Sequence, residues 1–267
     1  MQSKLQSPYC YTTIKVLYKE EGNSNKLTYS VAEAETVNTK QKMKSAAFSC
    51  SLFLLFLGSY SLASEQQMDV YEYLWNNNTD IANKTLHVDF LRQMQSGSLQ
   101  AERYVNFTLQ DINYLLEVTK MLKKMSKKVT KPDDLKAFMT DRYNKYKSFA
   151  ASFLSQYLLT GEPPIKPTPA MKKYLSDYRA AMEANDGIYF AVALLPCSRL
   201  WIWLTNNLDI PNTNAYYMWK TENMNGHPEK HYKALLNNHL NTAKKVQKAN
   251  AIFRMQMQNE HDFFATS

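Results

Sequence analysis

Glycine is scarce in this chain, with six residues in 267, and no segment alternates apolar and polar residues over the length of a strand. A half-buried sheet needs that alternation, and its tight turns commonly need glycine at positive φ. These two absences argue against a β architecture. Apolar residues recur at helical spacing instead, and no repeat of solenoid length is present. The sequence therefore predicts a single all-α domain.

The apolar periodicity predicts nine helices, separated by breaks rich in proline and glycine. The segment from Gly161 to Pro169 contains four prolines and predicts a stiff loop, because proline removes a backbone donor and restricts its predecessor. Shorter breaks are expected at Asp186-Gly187 and at Pro211-Asn212. The predicted helices cover residues 67–77, 86–96, 100–128, 132–160, 168–185, 187–207, 214–223, 229–248 and 249–264.

Cysteine is also scarce: the three residues are Cys10, Cys50 and Cys197. The first two precede or lie inside a segment that has the parts of a secretory signal peptide, so the processed protein would keep Cys197 alone. Secreted proteins mostly pair their thiols as disulfides. A single remaining cysteine therefore indicates either a link to another chain or a thiol with a chemical role.

The signal peptide is predicted at residues 43–63. Met43 and Lys44 form a short basic start, an apolar stretch runs from Ala46 to Leu57, and small residues precede Ala63. The stretch is shorter than the about 20 apolar residues of a membrane span. We therefore expect 1–42 to be an upstream extension that is disordered or not translated, and 64–267 to be the helical domain. The alternative is a long segment in front of a signal anchor.

Three asparagines lie in acceptor sequences for N-glycosylation, as a secreted surface would allow. Asn77 and Asn83 are expected to be exposed and to carry the glycans. The third, Asn106, lies inside a strongly patterned helix, and we expect it to be too buried for modification.

The positive charge does not indicate a nucleic-acid site. The net charge is +8, but the lysines follow helix faces without interleaved aromatic residues or a glycine-rich pattern, as at Lys120, Lys123, Lys124, Lys127 and Lys128. A solvated helix face explains such runs. We expect neither a nucleic-acid partner nor membrane attachment after signal cleavage.

Three predicted helices share an unusual feature: each has one residue with a carboxyl or thiol group in the middle of its apolar stripe. These residues are Asp111, Cys197 and Glu260. Burying a carboxylate costs several kcal/mol unless it is paired, so two such acids are rarely accidental. Each residue also has a structural explanation: a tyrosine partner for Asp111, a lysine partner for Glu260, and core packing for Cys197. Their coincidence favours a nucleophile with proton-transfer partners.

The residues around these three positions resemble known motifs. Residues 104–115 read YVNFTLQDINYL, which is similar to the aromatic and Gln-Asp signature of the TenA-type thiaminase family. Residues 193–197, ALLPC, resemble the nucleophile segment of that family, and residues 260–264, EHDFF, resemble its C-terminal segment. Tyr174 lies 23 residues before Cys197, as the family pattern requires. The resemblance spans residues 66–265 and implies a haem-oxygenase-like helical bundle.

The resemblance also implies a function, which is cleavage of thiamin or a degraded thiamin at the methylene of its aminopyrimidine. Cys197 would add to the ring, Glu260 would protonate a ring nitrogen, and Asp111 would bind the amino edge. A thiol suits the first role because it is a strong nucleophile even when partly ionised. A flat ring also requires an aromatic slot, which these substrate-binding residues would supply: Tyr104, Phe107, Tyr114, Tyr174 and Trp201.

The chain departs from the family pattern at three places. Ser198-Arg199 follows the cysteine where aromatic residues are usual, Asn223 with Glu222 stands at the place of a pocket tyrosine, and Phe264 replaces a tryptophan. All are expected near the leaving base, so they bear on which base leaves and which nucleophile accepts the pyrimidine.

Two functional classes follow from the sequence. The first is a secreted thiaminase, either a hydrolase or a transferase that exchanges the base. The alternative is a non-catalytic carrier that retains the aromatic slot, although a carrier needs no nucleophile. The histidines show no ligand spacing, so we expect no metal and no cofactor. Family members often form tetramers, which makes a homo-oligomer the expected state.

Overall fold

The structure is a computed structural model that describes residues 68–184 and 186–267. The predicted extension at 1–42 and signal peptide at 43–63 lie outside these residues. The described residues belong to one compact unit of the chain.

Within the described residues the secondary structure consists of ten helices and no strand, in agreement with the all-α prediction. The helices are α1 (Val70–Asn76), α2 (Thr79–Leu86), α3 (Asp89–Ser96), α4 (Ala101–Lys128), α5 (Asp133–Gln156), α6 (Pro169–Glu183), α7 (Ile188–Asn207), α8 (Tyr217–Asn223), α9 (Glu229–His239) and α10 (Ala243–Ala265).

Two helix predictions were wrong. Residues 79–86 were not predicted as helical, yet they form α2, whose eight residues are too few to establish a periodic signal. The predicted helix over 229–248 instead ends at His239, and a new helix begins after Thr242. The Thr242 side chain accepts a hydrogen bond from the backbone N–H of Lys245 at 3.3 Å. This N-cap satisfies a donor at the start of α10, which stabilises the break.

Helix α7 lies in the core, and most of its residues are buried. It packs against α10, α6, α8 and α9, while α4 packs against α5 and α6. By length and composition α7 is apolar enough to cross a membrane, but 83% of the relevant window is buried inside the domain. That burial is characteristic of the core helix of a packed bundle.

The proline-rich loop ends at a well-capped helix. Thr168 accepts a hydrogen bond from the backbone N–H of Met171 at 3.2 Å, and Pro169 follows as the first residue of α6. Proline suits this position because its missing donor would lack a helical partner in any case. The cap fixes the start of the helix that carries Tyr174.

Candidate active site

Glu260 is the centre of the candidate site. Its side chain is 1% exposed on α10, and one carboxylate oxygen accepts a hydrogen bond from the Trp201 indole N–H at 3.0 Å. The other oxygen accepts a short hydrogen bond from the Tyr174 hydroxyl. The side chain of Cys197 also hydrogen-bonds Glu260. Three helices, α6, α7 and α10, therefore converge on one buried carboxyl group.

Burial raises the pKa of Glu260 to about 7, although its hydrogen bonds with Tyr174, Trp201 and Cys197 act in the lowering direction. Desolvation disfavours the charged form, while donors aimed at the carboxylate stabilise it. A carboxyl group balanced in this way can hold or release a proton near neutral pH. This is the property required of a general acid and base.

Asp111 is the second buried acid, and it is 5% exposed on α4. Burial raises its pKa well above the usual value, and the neighbouring charge of Glu260 raises it further. A charge on Glu260 thus disfavours ionisation of Asp111.

The predicted aromatic residues form a wall of two ring groups, which Glu260 joins through its hydrogen bonds with Tyr174 and Trp201. The rings of Tyr114 and Tyr174 are 5.2 Å apart, and the rings of Phe107 and Trp201 are stacked at 5.9 Å. Tyr104 packs against Phe107 at 6.0 Å. The structure thus brings the eight candidate residues of the sequence into one cluster: Asp111, Cys197, Glu260, Tyr104, Phe107, Tyr114, Tyr174 and Trp201.

Sequence reasoning missed Tyr178, which links the tyrosines of the cluster. Its hydroxyl lies 2.8 Å from that of Tyr114 and 3.5 Å from that of Tyr174, which in turn donates to Glu260. Burial raises the pKa of all three tyrosines well above the usual value, so each keeps its proton. The sequence signal for Tyr178 was its position one helical turn after Tyr174, which places both side chains on the same face of α6.

Local features of α7 and α10 position the reacting groups. Pro196 lies inside α7 next to Cys197, and proline cannot donate to the carbonyl of Val192 four residues earlier. Cys197 is 2% exposed, so the thiol lies inside the domain and forms no disulfide with another described residue. On α10, Phe253, Met257 and Glu260 share the buried face.

The departures from the family pattern lie in different places. Arg199 was expected near the leaving base, but it contacts α1: it donates to the Tyr71 carbonyl at 2.7 Å and pairs with Glu72 at 2.7 Å. Arg199 lies two residues after Cys197, so its side chain is on the opposite face of α7 and the expectation was wrong. Phe264 does join the aromatic wall, with its ring 5.0 Å from Trp201. Asn223 is buried and donates to the Trp219 carbonyl at 2.7 Å.

The third acceptor asparagine also corrects the sequence interpretation. Asn106 is exposed on α4, whereas Phe107 and Thr108 face the interior. The helix turns Asn106 toward solvent because residues one position apart point about 100° away from each other. Asn77 and Asn83 are exposed as well.

A separate groove of about 720 Å³ opens on the other side of Phe107, between α4, the proline-rich loop and the end of α10. Cys197 and Glu260 do not line it. No group of three or more histidine, cysteine or acidic side chains that could hold a metal ion occurs among residues 68–184 and 186–267. The candidate catalytic groups therefore lie around Glu260 and not in this groove.

Neither a protein-family model nor a curated protein sequence matches the chain. Three solved structures are similar to it. A TenA homologue from P. horikoshii OT3 aligns with TM-score 0.61 and 21% identity over 74% of this chain and 97% of that one. A protein from Silicibacter sp. TM1040, described as a TenA family transcription regulator, aligns with TM-score 0.63 and 14% identity over 76% and 98%.

The third structure is a TenA homologue from Pyrococcus furiosus, with TM-score 0.57 and 17% identity over 73% of this chain and 98% of that one. At these identities the likeness establishes the fold. The chain has the haem-oxygenase-like helical bundle of the TenA homologues, and the predicted fold class is confirmed.

Proposed function

We propose that this protein is a secreted thiaminase of the TenA type. It cleaves thiamin, or an aminopyrimidine derived from thiamin, at the methylene attached to the pyrimidine ring. The observation that carries the proposal is the convergence of Cys197, Tyr174 and Trp201 on Glu260, within a buried aromatic cluster. A nucleophile in contact with a tuned acid is the arrangement that covalent catalysis requires.

The aromatic wall suits a flat heterocycle. Stacked and tilted rings with centroids 5 to 6 Å apart provide apolar faces against which a pyrimidine packs. Asp111 supplies the polar contact that such a slot needs for orientation, because its carboxyl group has no hydrogen-bonding partner among the described residues. It would accept a hydrogen bond from the exocyclic amino group and stabilise positive charge on the ring.

In the first step Glu260 gives its proton to a ring nitrogen, and the adjacent ring carbon becomes electrophilic. The sulfur of Cys197 forms a bond to that carbon, while the thiol proton passes to the Glu260 carboxylate. Proton and nucleophile therefore move through groups already in contact. The step is neutral overall, so the site does not have to solvate an isolated thiolate.

In the second step the bond between the methylene and the departing nitrogen breaks. Its electron pair leaves with the base, and the positive charge remains on the pyrimidine beside Asp111. Water or another nucleophile then adds to the methylene and loses a proton. Finally the C–S bond breaks, Glu260 returns its proton to the departing sulfur so that the thiol re-forms, and the resulting carboxylate takes back the proton of the ring nitrogen. The same intermediate serves hydrolysis and base exchange.

Secretion is part of the proposal and is supported by the signal-like segment at 43–63 and by surface-exposed Asn77 and Asn83. The natural ligand is a small molecule, and the working form is a homo-oligomer.

The experiment is incubation of the purified protein with thiamin, with and without added pyridine, followed by mass analysis of the products. The proposal expects free thiazole and hydroxymethylpyrimidine in the absence of pyridine, or a pyridine adduct of the pyrimidine when the base is present. Binding of thiamin with no product under either condition would replace the enzyme by the non-catalytic carrier. No binding at all would reject both.

A further inference from the structure

Two buried hydrogen-bond donors near the site have no partner in the described structure. They are the Tyr104 hydroxyl on α4 and the Trp219 indole N–H on α8, and both side chains are 0% exposed. Unpaired buried donors are uncommon in folded proteins, because each has lost its water without gaining a partner. The mechanism above uses neither group, so their presence calls for a ligand.

Both donors belong to the wall of the candidate site. The Trp219 ring lies 5.9 Å from Trp201, whose own N–H holds Glu260. Tyr104 lies 5.0 Å from Tyr216, which precedes α8, and 6.0 Å from Phe107 on its own helix. The two side chains therefore line the α4 and α8 side of the aromatic cluster. The ring of Tyr104 is assigned to the pyrimidine slot, whereas its hydroxyl and the Trp219 N–H have no role there.

An acidic residue accompanies these donors. Glu222 lies three residues after Trp219 on α8, so the two side chains neighbour each other on the helix. The charges of Asp111 and of Glu222 both raise the pKa of Tyr104, after the larger effect of burial. The Tyr104 hydroxyl is thus within electrostatic range of a carboxyl group that serves the pyrimidine and of one that the mechanism does not use.

We propose that Tyr104, Trp219 and Glu222 form a second subsite, which binds the leaving group and selects one that carries a positive charge. The inference rests on the proposed function and deepens it. Glu222 stabilises the cation in a poorly solvated setting, where a charge interaction is stronger than in water. Where the leaving group carries an acceptor atom, such as the hydroxyl oxygen of a thiazolium side chain, the two donors hold that atom.

The positive charge has two chemical sources. One is the quaternary ring nitrogen of a thiazolium, as in intact thiamin. The other is a protonated alkylamine, as in an aminomethylpyrimidine from degraded thiamin. In both cases the bond from the methylene to that nitrogen breaks, and the departing group becomes neutral as it takes the electron pair. Glu222 therefore favours binding of the substrate over binding of the neutral products.

The test compares dissociation constants by calorimetry in a Cys197→Ser background, so that no substrate is consumed. The ligands are thiamin, 4-amino-5-aminomethyl-2-methylpyrimidine and the neutral 4-amino-5-hydroxymethyl-2-methylpyrimidine. Glu222→Gln is expected to weaken at least one cationic ligand about tenfold and to leave the neutral one within about twofold. The affected ligand identifies the source of the charge. Glu229→Gln, an exposed acid on α9, is the matched control and should change nothing.

The same dissociation constants are measured for Tyr104→Phe and Trp219→Phe. These variants preserve aromatic bulk, and the result does not depend on whether Glu222→Gln folds. Each is expected to weaken thiamin, whose leaving group carries a hydroxyl oxygen, several-fold more than the neutral ligand. Equal effects on all three ligands, or no effect, would overturn the subsite while leaving the thiaminase proposal intact. Failure of every ligand to bind the parent protein would instead reject the proposed function itself.

Discussion

Glu260 and Asp111 are both buried acids, but their different contacts indicate different roles in the proposed reaction. Glu260 contacts the nucleophile, whereas Asp111 has no hydrogen-bonding partner among the described residues. Glu260→Gln is expected to lower turnover by about 10²- to 10⁴-fold and to leave substrate affinity nearly unchanged, because its proton is needed only as the ring is attacked. Asp111→Asn is expected to weaken affinity and turnover together.

Turnover number and dissociation constant, measured side by side, separate the two roles. Asp262→Asn is the matched control, because this acid lies two residues beyond Glu260 on α10 and is partly exposed. It should behave as the unmodified protein. Parallel losses of affinity in both buried variants would contradict the division of roles.

The raised pKa of Glu260 also predicts a pH dependence. The proton donor exists below its folded pKa of about 7, so turnover should decline as the pH rises through that value. The same shift affects stability. Because the pKa in the folded state lies above the usual value of 4.5, the protonated group favours the fold at low pH, and this contribution is lost as the pH rises from about 4.5 to about 7.

The measurement is the difference in unfolding free energy between the unmodified protein and Glu260→Gln across this range. The difference should fall with rising pH and level off above about 7. A difference that rises over the same interval would show that the carboxylate, and not the acid, is the form stabilised by the fold.

At the level of single residues the sequence could identify Asp111, Cys197 and Glu260 because each interrupts an apolar stripe. Periodicity assigns a residue to a helix face, but it does not say which faces meet. Cys197 and Glu260 are 63 residues apart in the chain, and their contact depends on the packing of α7 against α10. Tyr178 was missed because a buried tyrosine on an apolar face is indistinguishable from ordinary core.

Helix α4 is tied to the proline-rich loop by the Gln110 side chain and by an exposed ion pair between Lys120 and Glu162 at 2.8 Å. The Gln110 amide donates to the Lys166 carbonyl at 3.1 Å, and its oxygen accepts from the Thr168 N–H at 3.0 Å. Gln110→Ala is expected to lower the free energy of unfolding by about 1 to 2 kcal/mol, since one exposed and one partly buried hydrogen bond are lost. Turnover should also fall a few-fold, because Asp111 adjoins the clamp.

Chemical denaturation measures the first effect, with Gln95→Ala on the exposed face of α3 as the control. Gln110→Glu keeps the acceptor and loses the donor, so an intermediate loss is expected. If Gln110→Ala were as stable as the control, the Gln110 hydrogen bonds would not contribute to holding the loop.

Helices with long apolar stripes were predictable because fifteen or more residues average out local ambiguity. Helix α2 was not, because its eight residues carry a single buried turn formed by Ile81, Ala82 and Thr85. The break between α9 and α10 was placed too late, since the capping threonine at 242 was a stronger signal than the continued pattern around it.

At the scale of the molecule, the part that the structure describes has the helical fold that the composition of the chain predicts. Sparse glycine and helical periodicity were enough to predict an all-α domain, and three motifs in register led to the fold that the TenA homologues share. The secreted character is a separate prediction, which depends on residues 43–63 and on surface asparagines.

Processing is tested by N-terminal sequencing and glycan analysis of material secreted by a eukaryotic host. The mature protein should begin near Ser64 and carry glycans on Asn77 or Asn83, because both side chains are exposed. Replacing each asparagine by glutamine should remove the corresponding mass. Secreted protein that retains residues 1–42 would contradict this processing.

The central claim is that Cys197 attacks the pyrimidine while in contact with Glu260. The most direct measurement is the rate of thiamin cleavage by the unmodified protein beside Cys197→Ser and Cys197→Ala, with thiamin affinity determined for each. The account predicts a loss of about a thousandfold or more in both variants with binding largely retained, since nucleophile and acid act as a unit. Cleavage at an undiminished rate by Cys197→Ser or Cys197→Ala would contradict it and would leave Cys197 with a role in core packing alone.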